Sequence, residues 1–146
     1  LRPIADCGFR IADLKEDRMD ATELKKRTKA FALRCMRLAD SLPPTPSGRV
    51  IAHQLLRSST SVAANYRAAC RARSVAEFTS KMGVVEEEVD ETALWMELIM
   101  ESQMATHRFV MPLWQEADEL TRIVVASIRT ARKAPIRNPK SAIRNR

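Results

Sequence analysis

The sequence is poor in glycine and in aromatic side chains, with 3 Gly among 146 residues and 5% Phe, Trp and Tyr. Strand-rich proteins are enriched in aromatic and β-branched residues and use glycine at their tight turns. This scarcity therefore disfavours a β-sandwich or barrel, and three glycines are too few for a phosphate-cradling loop. The remaining composition, 45% hydrophobic and 29% charged, is typical of a single globular domain rich in helix-forming residues.

Cysteine pairs and long apolar runs are also absent. Cys7, Cys35 and Cys70 are an odd number without CxxC spacing, which argues against a disulfide framework or a zinc ribbon. No uninterrupted apolar run approaches the roughly 20 residues of a membrane span, and the first 20 residues carry acids rather than a signal peptide's apolar segment. These features predict a soluble, cytoplasmic protein.

No catalytic or metal-binding motif occurs in the chain. GxSxG, HExxH, GxxxxGK[ST] and GxGxxG are all missing, and neither His53 nor His107 has a glutamate three residues before it. The hydroxyl-rich segment 57–61 lacks a paired histidine, so its side chains are expected to pack against a neighbouring helix. We predict no enzymatic activity, no cofactor and no metal.

Apolar residues recur at spacings of three and four over four segments, which predicts four helices at about 20–42, 47–72, 74–103 and 108–133. Asp20 and Ser74, each followed three residues later by glutamate, begin capping boxes, and Ser47 is the predicted cap of the second helix. The predicted inward stripes include Asn65 in the second helix and Phe109 in the fourth.

Four helices joined by short connections predict an all-α protein, an antiparallel up-and-down four-helix bundle over residues 20–133. Residues 1–19 are predicted to be a poorly defined extension, and the basic tail 134–146, with its IRNPKSA/IRNR repeat, a disordered appendage. An antiparallel pairing of the second and third helices places Arg57 beside the acidic region of Glu87, Glu88 and Glu91.

Charge is sorted along the chain, whose net value is +7. Residues 42–73 carry five arginines and no acid, residues 74–105 carry one lysine against eight acids, and residues 121–146 carry eight cations and no acid. This pattern fits ion pairs between neighbouring helices, or cations that offset helix dipoles. A second reading of the pattern is phosphate-binding patches at the ends of the second and fourth helices, formed by Arg67, Arg71, Arg73, Arg129, Arg132 and Lys133.

Three stretches together carry a family resemblance: LKKRTKAFALRCMRLADSLP, the segment from QLLRSSTSVAANYRAA to EEEVDETALWMELI, and LWQEADELTRIVVASIRTARK. Over about residues 22–133 the chain resembles the four-helix bundle proteins encoded by intervening sequences of bacterial 23S ribosomal RNA genes. The resemblance implies a cytoplasmic homo-oligomeric ring, a pentamer, without enzymatic activity. It also implies kinship with the accessory protein of diversity-generating retroelements, which partners a reverse transcriptase and binds nucleic acid through a basic surface.

Residues that match the family motifs are assigned by this resemblance to bundle packing and assembly: Arg57, Ser58, Ser61, Asn65, Tyr66, Glu87, Glu91 and Trp95. The leading hypothesis is a ring whose basic surface binds RNA or DNA. The alternative is a protein-interaction scaffold in which the sorted charge joins helices and subunits and binds no nucleic acid.

Overall fold

The computed structural model describes residues 20–133, which form four α-helices and, within that range, no β-strand. The helices are α1 (Ala21–Ser41), α2 (Pro46–Ala69), α3 (Val75–Glu101) and α4 (His107–Lys133). The predictions for residues 1–19 and 134–146 lie outside the described residues. Among the described helices none has the length and apolar character needed to cross a membrane.

Side chains at the predicted starts of α1 and α3 cap these helices. The Asp20 carboxylate accepts from the backbone N–H of Thr22, and the Ser74 hydroxyl accepts from that of Glu77. The start of α2 differs from the prediction, because the cap is Thr45 rather than Ser47. Pro46 occupies the first position of α2, where a backbone N–H is not needed. The Thr45 Oγ1 accepts from the backbone N–H of Gly48 over 3.1 Å.

The helices form an antiparallel up-and-down bundle, as predicted. Each helix packs along the next in the chain, and α1 closes the bundle against α4 with a smaller contact. Residues 57 and 58 of α2 contact residues 88, 91 and 92 of α3, which confirms the predicted antiparallel register of these two helices.

One continuous core runs through the bundle and is built from one face of every helix. The seven predicted inward positions of α3 are all buried: Phe78, Met82, Val85, Val89, Thr92, Met96 and Ile99. Four predicted stripes therefore do meet in one interior, and their burial is the main stabilising contribution to the fold.

Two predicted core positions are wrong. Asn65 is only half-buried, and the neighbouring Tyr66 is buried in its place. The Asn65 amide can bond within its own helix, whereas the larger ring of Tyr66 gains more from burial. In α4, Phe109 is 72% exposed and Val110 is fully buried, because adjacent residues on a helix point about 100° apart.

Candidate nucleic-acid interface

The cations predicted to bind phosphates lie at one end of the bundle. Because successive helices run in opposite directions, α2 and α4 end where α1 and α3 begin. The α2 group comprises Arg67, Arg71 and Arg73, the α4 group comprises Arg129, Arg132 and Lys133, and all six side chains are exposed. We call these six residues the basic end.

The short connection between α2 and α3 presents two of these cations. The structure ends α2 at Ala69, earlier than predicted, so Arg71 and Arg73 lie in the connection and not in the helix. Ala72 between them is fully buried, and its N–H donates to the Ala69 carbonyl over 3.0 Å. The connection is thus anchored by an apolar side chain while its two arginines face solvent.

The α4 cations lie beside a surface groove. Arg129 and Lys133, one turn apart, line a groove of about 360 Å³ along α4 together with Arg122, Val125, Ala126 and Thr130. Arg122 pairs with Asp118 of the preceding turn over 2.5 Å. Within residues 20–133, by contrast, no ion pair involves any of the six residues of the basic end.

Two acidic side chains at this end of the bundle accept hydrogen bonds from backbone N–H groups, and a third, Glu23, pairs with Lys26 over 3.8 Å. The Glu77 carboxylate accepts from the Arg73 backbone N–H over 2.9 Å, and Asp20 caps α1. Exposed cations can bind phosphates through charge and displace counterions from nucleic acid.

Sequence analysis missed further cations at the same end. Lys25, Lys26 and Lys29 lie in the first turns of α1 and are exposed. The signal was present as the run Lys-Lys-Arg-Thr-Lys at residues 25–29, and the antiparallel topology would have placed it beside the ends of α2 and α4.

The motif residues of α2 and α3 make contacts between these helices. Arg57 bonds the Glu88 carboxylate over 3.4 Å and also pairs with Glu91, and its Nε donates to Gln54 over 3.1 Å. Hydrogen bonding to Glu91 raises the pKa of the Arg57 guanidinium. The predicted proximity of Arg57 to the acidic run is confirmed for Glu88 and Glu91, whereas Glu87 is exposed on another face of α3.

The small polar residues of α2 find partners inside the bundle or on their own helix. Ser58 is buried and bonded to Thr92 of α3, while the Asn65 Nδ2 donates to the hydroxyl of Ser61 over 2.8 Å and to its carbonyl over 3.0 Å. Burial is the largest cause of the raised pKa of the Tyr66 hydroxyl, and the nearby Cys70 thiol raises this pKa further. These contacts account for the motif as packing.

Trp95 is partly buried against the core, and its indole Nε1–H is buried with no hydrogen-bond partner among residues 20–133. An unpaired buried donor costs about 1–3 kcal/mol. The ring is therefore held by apolar packing rather than by a hydrogen bond.

An ion-pair cluster between the first and last helices escaped prediction. The Arg27 guanidinium bonds both carboxylate oxygens of Glu116, over 2.6 and 2.9 Å, and also pairs with Glu119. The hydrogen bond to Glu116 is the largest cause of the raised pKa of Arg27. The two residues are 89 positions apart in the sequence. No local pattern predicts their contact, which exists only because α1 packs against α4.

The opposite end of the bundle carries a smaller groove of about 220 Å³, lined by Glu97, Met100, Glu101 and His107. Glu97 accepts a hydrogen bond of 3.0 Å from the indole N–H of Trp114. Across residues 20–133 no group of three His, Cys, Asp or Glu side chains has an arrangement that could hold a metal ion. This groove brings together no nucleophile and base.

Comparisons with known proteins agree with the bundle. The family model described as "23S rRNA-intervening sequence protein" matches residues 21–126. A solved structure, a protein of unknown function from the S23 ribosomal protein family of Bacteroides thetaiotaomicron, is 30% identical with a TM-score of 0.68, over 72% of this chain and 97% of that one. No curated protein matches the chain. Neither description names an enzyme. On the family match, the chain belongs to the 23S rRNA-intervening sequence protein family.

Proposed function

We propose that this protein is a non-enzymatic, cytoplasmic bundle that assembles into a homo-oligomeric ring, a pentamer, and binds RNA or DNA through its basic end. The observation that carries the nucleic-acid proposal is the gathering of six exposed cations, without ion-pair partners in residues 20–133, at one end of the bundle. In a ring every copy adds its own basic end, so that weak phosphate contacts combine into a larger affinity.

The names of the matched family and structure refer to 23S ribosomal RNA and to ribosomal protein S23, which supports a nucleic-acid setting. We propose that the protein acts as an accessory to a nucleic-acid enzyme, for which a reverse transcriptase is the candidate.

The test replaces Arg67, Arg71 and Arg73 together with glutamate. Retention on immobilised single-stranded RNA and duplex DNA at moderate salt should be lost, because attraction to the phosphates becomes repulsion. Replacement of the same three residues with glutamine provides a milder variant, and circular dichroism establishes that each variant is folded.

A matched control changes the same net charge at the opposite end, with Arg34, Arg49 and Arg108 replaced by glutamate. These exposed residues lie in the second half of α1 and at the starts of α2 and α4. The control should retain most of its binding. Equal loss in both variants would mean that net charge, and not the basic end, determines binding.

The second candidate function is a protein-interaction scaffold. Arg57 and Arg27 form ion pairs with glutamates of neighbouring helices. Charges that join helices in this way favour the scaffold. In that case the oligomer persists while affinity for nucleic acid stays negligible even at low salt.

A further inference from the structure

Two exposed helix faces on opposite sides of the bundle carry matching patterns of apolar side chains. On α1, Leu33 is 44% and Met36 40% exposed, and on α3, Leu94 is 47% and Leu98 40% exposed. Apolar side chains grouped on one surface stripe, unlike scattered ones, indicate a binding surface. Because α1 and α3 are diagonal in the bundle, neither stripe can cover the other within one molecule.

The charges that precede these apolar residues have opposite signs on the two helices. The α1 face carries Lys26, Lys29, Leu33, Met36, Arg37 and Asp40, and the α3 face carries Glu87, Asp90, Leu94, Leu98 and Glu101. We call these the α1 stripe and the α3 stripe. Lys26, Lys29 and Leu33 have the same spacing as Glu87, Asp90 and Leu94, so the same offset aligns cation with acid and leucine with leucine.

We propose that the α1 stripe of one copy packs against the α3 stripe of the next, in a heterologous contact that builds the ring. The inference rests on the proposed assembly and names the two faces that make it. An isologous contact between two α3 stripes would bring only acids together, which is destabilising. The pairing of unlike faces leaves one free stripe on each end of a row of copies, and such a row forms a ring when the rotation between copies closes.

The helix directions agree with a closed ring. α1 and α3 run the same way within one bundle, and rotation about an axis along the bundle preserves that direction in the next copy. The two stripes therefore meet as parallel helices. In that register Lys26 lies beside Glu87, Lys29 beside Asp90 and Leu33 beside Leu94. The like charges of Asp40 and Glu101 meet at the far end of the contact.

Charge reversal tests the pairing by light scattering of the full chain. The variants K26E/K29E and E87K/D90K should each have a smaller mass than the wild-type oligomer, since each places like charges across the contact. The variant with all four changes should recover the wild-type mass. R49E/R108E, which makes the same change in net charge as K26E/K29E away from both stripes, should keep that mass.

The possible results separate this inference from the proposed function. If K26E/K29E and E87K/D90K both keep the wild-type mass, the subunits meet elsewhere and the inference is overturned while the ring stands. If each loses mass but the fourfold variant stays small, the two stripes do not face each other. A wild-type monomer at every concentration would overturn the ring itself and leave the stripes to a different partner.

Discussion

The hydroxyls of Ser58 in α2 and Thr92 in α3 lie 2.8 Å apart and share a hydrogen bond in the middle of the bundle, where both residues are fully buried. The Thr92 hydroxyl also lies 2.7 Å from the Glu88 carbonyl. Serine and threonine are short enough to bring the two helices close, and the bond gives each buried hydroxyl a partner across the interface.

Replacement of Thr92 by valine should lower the free energy of unfolding by about 1–3 kcal/mol, because the Ser58 hydroxyl loses its partner across the interface. The double variant Ser58→Ala/Thr92→Val should be more stable than the sum of the single changes predicts. Urea unfolding of the four proteins measures this coupling. Strict additivity would show that the two hydroxyls do not interact.

Two glycines lie in helices and should respond oppositely to alanine. A Cβ at Gly83 would meet nothing within 4 Å, whereas one at Gly48 would lie 2.0 Å from the Pro43 carbonyl oxygen. Gly83→Ala should therefore raise the free energy of unfolding by about 0.5–1 kcal/mol, and Gly48→Ala should lower it. Both are measured by thermal unfolding at one protein concentration, and destabilisation by Gly83→Ala would contradict the open space at that position.

Stability should decrease in alkaline solution, partly through Cys35. Burial raises the pKa of this thiol to about 12 from an ordinary value near 9. The folded state keeps the proton that the unfolded state releases, so this contribution is complete below about pH 9 and is lost between about pH 9 and 12. Tyr66 and Cys70 have pKa values raised in the same direction by burial.

The contribution of Cys35 to this pH dependence can be isolated with Cys35→Ala. The substitution removes the Cys35 thiol and leaves the titrating groups of Tyr66 and Cys70. The free energy of unfolding of this variant should fall less steeply between pH 8 and 10.5, at the upper limit of the range accessible to urea titration. If the free energy of unfolding fell equally steeply with pH in the variant and in the wild type, Cys35 would have the same pKa in the folded and unfolded states.

The sequence predicted the helices most accurately where several signals coincide. In α3 the Ser74 cap, the glutamate that follows it and a long apolar stripe all agree, and every predicted inward residue is buried. In α2 the stripe mixes serine, alanine and asparagine with tyrosine, so periodicity alone did not distinguish Asn65 from Tyr66. The start of that helix was misplaced because Pro46 favours the first helical position and thereby makes Thr45 the cap.

Contacts between distant segments were predictable only where a hairpin register relates them. Arg57 and the acidic run belong to consecutive antiparallel helices, so their proximity followed from the turn between them. Arg27 and Glu116 belong to the first and last helices, and no local pattern fixes how α1 closes on α4. For the same reason the position of the α1 lysines was not predicted, since only the topology of the whole bundle places them at the same end as the basic end.

The central claim is that the basic end binds nucleic acid in the assembled protein. The most direct measurement is a salt titration of binding to a random single-stranded RNA and to a DNA duplex, with the mass of the protein followed by light scattering in the same buffers. A ring-sized mass, with log affinity falling linearly against log salt by about 0.7 per phosphate neutralised on single strands and about 0.9 on duplex DNA, is the predicted result. A ring-sized mass with no binding at low salt would contradict the claim and favour the scaffold.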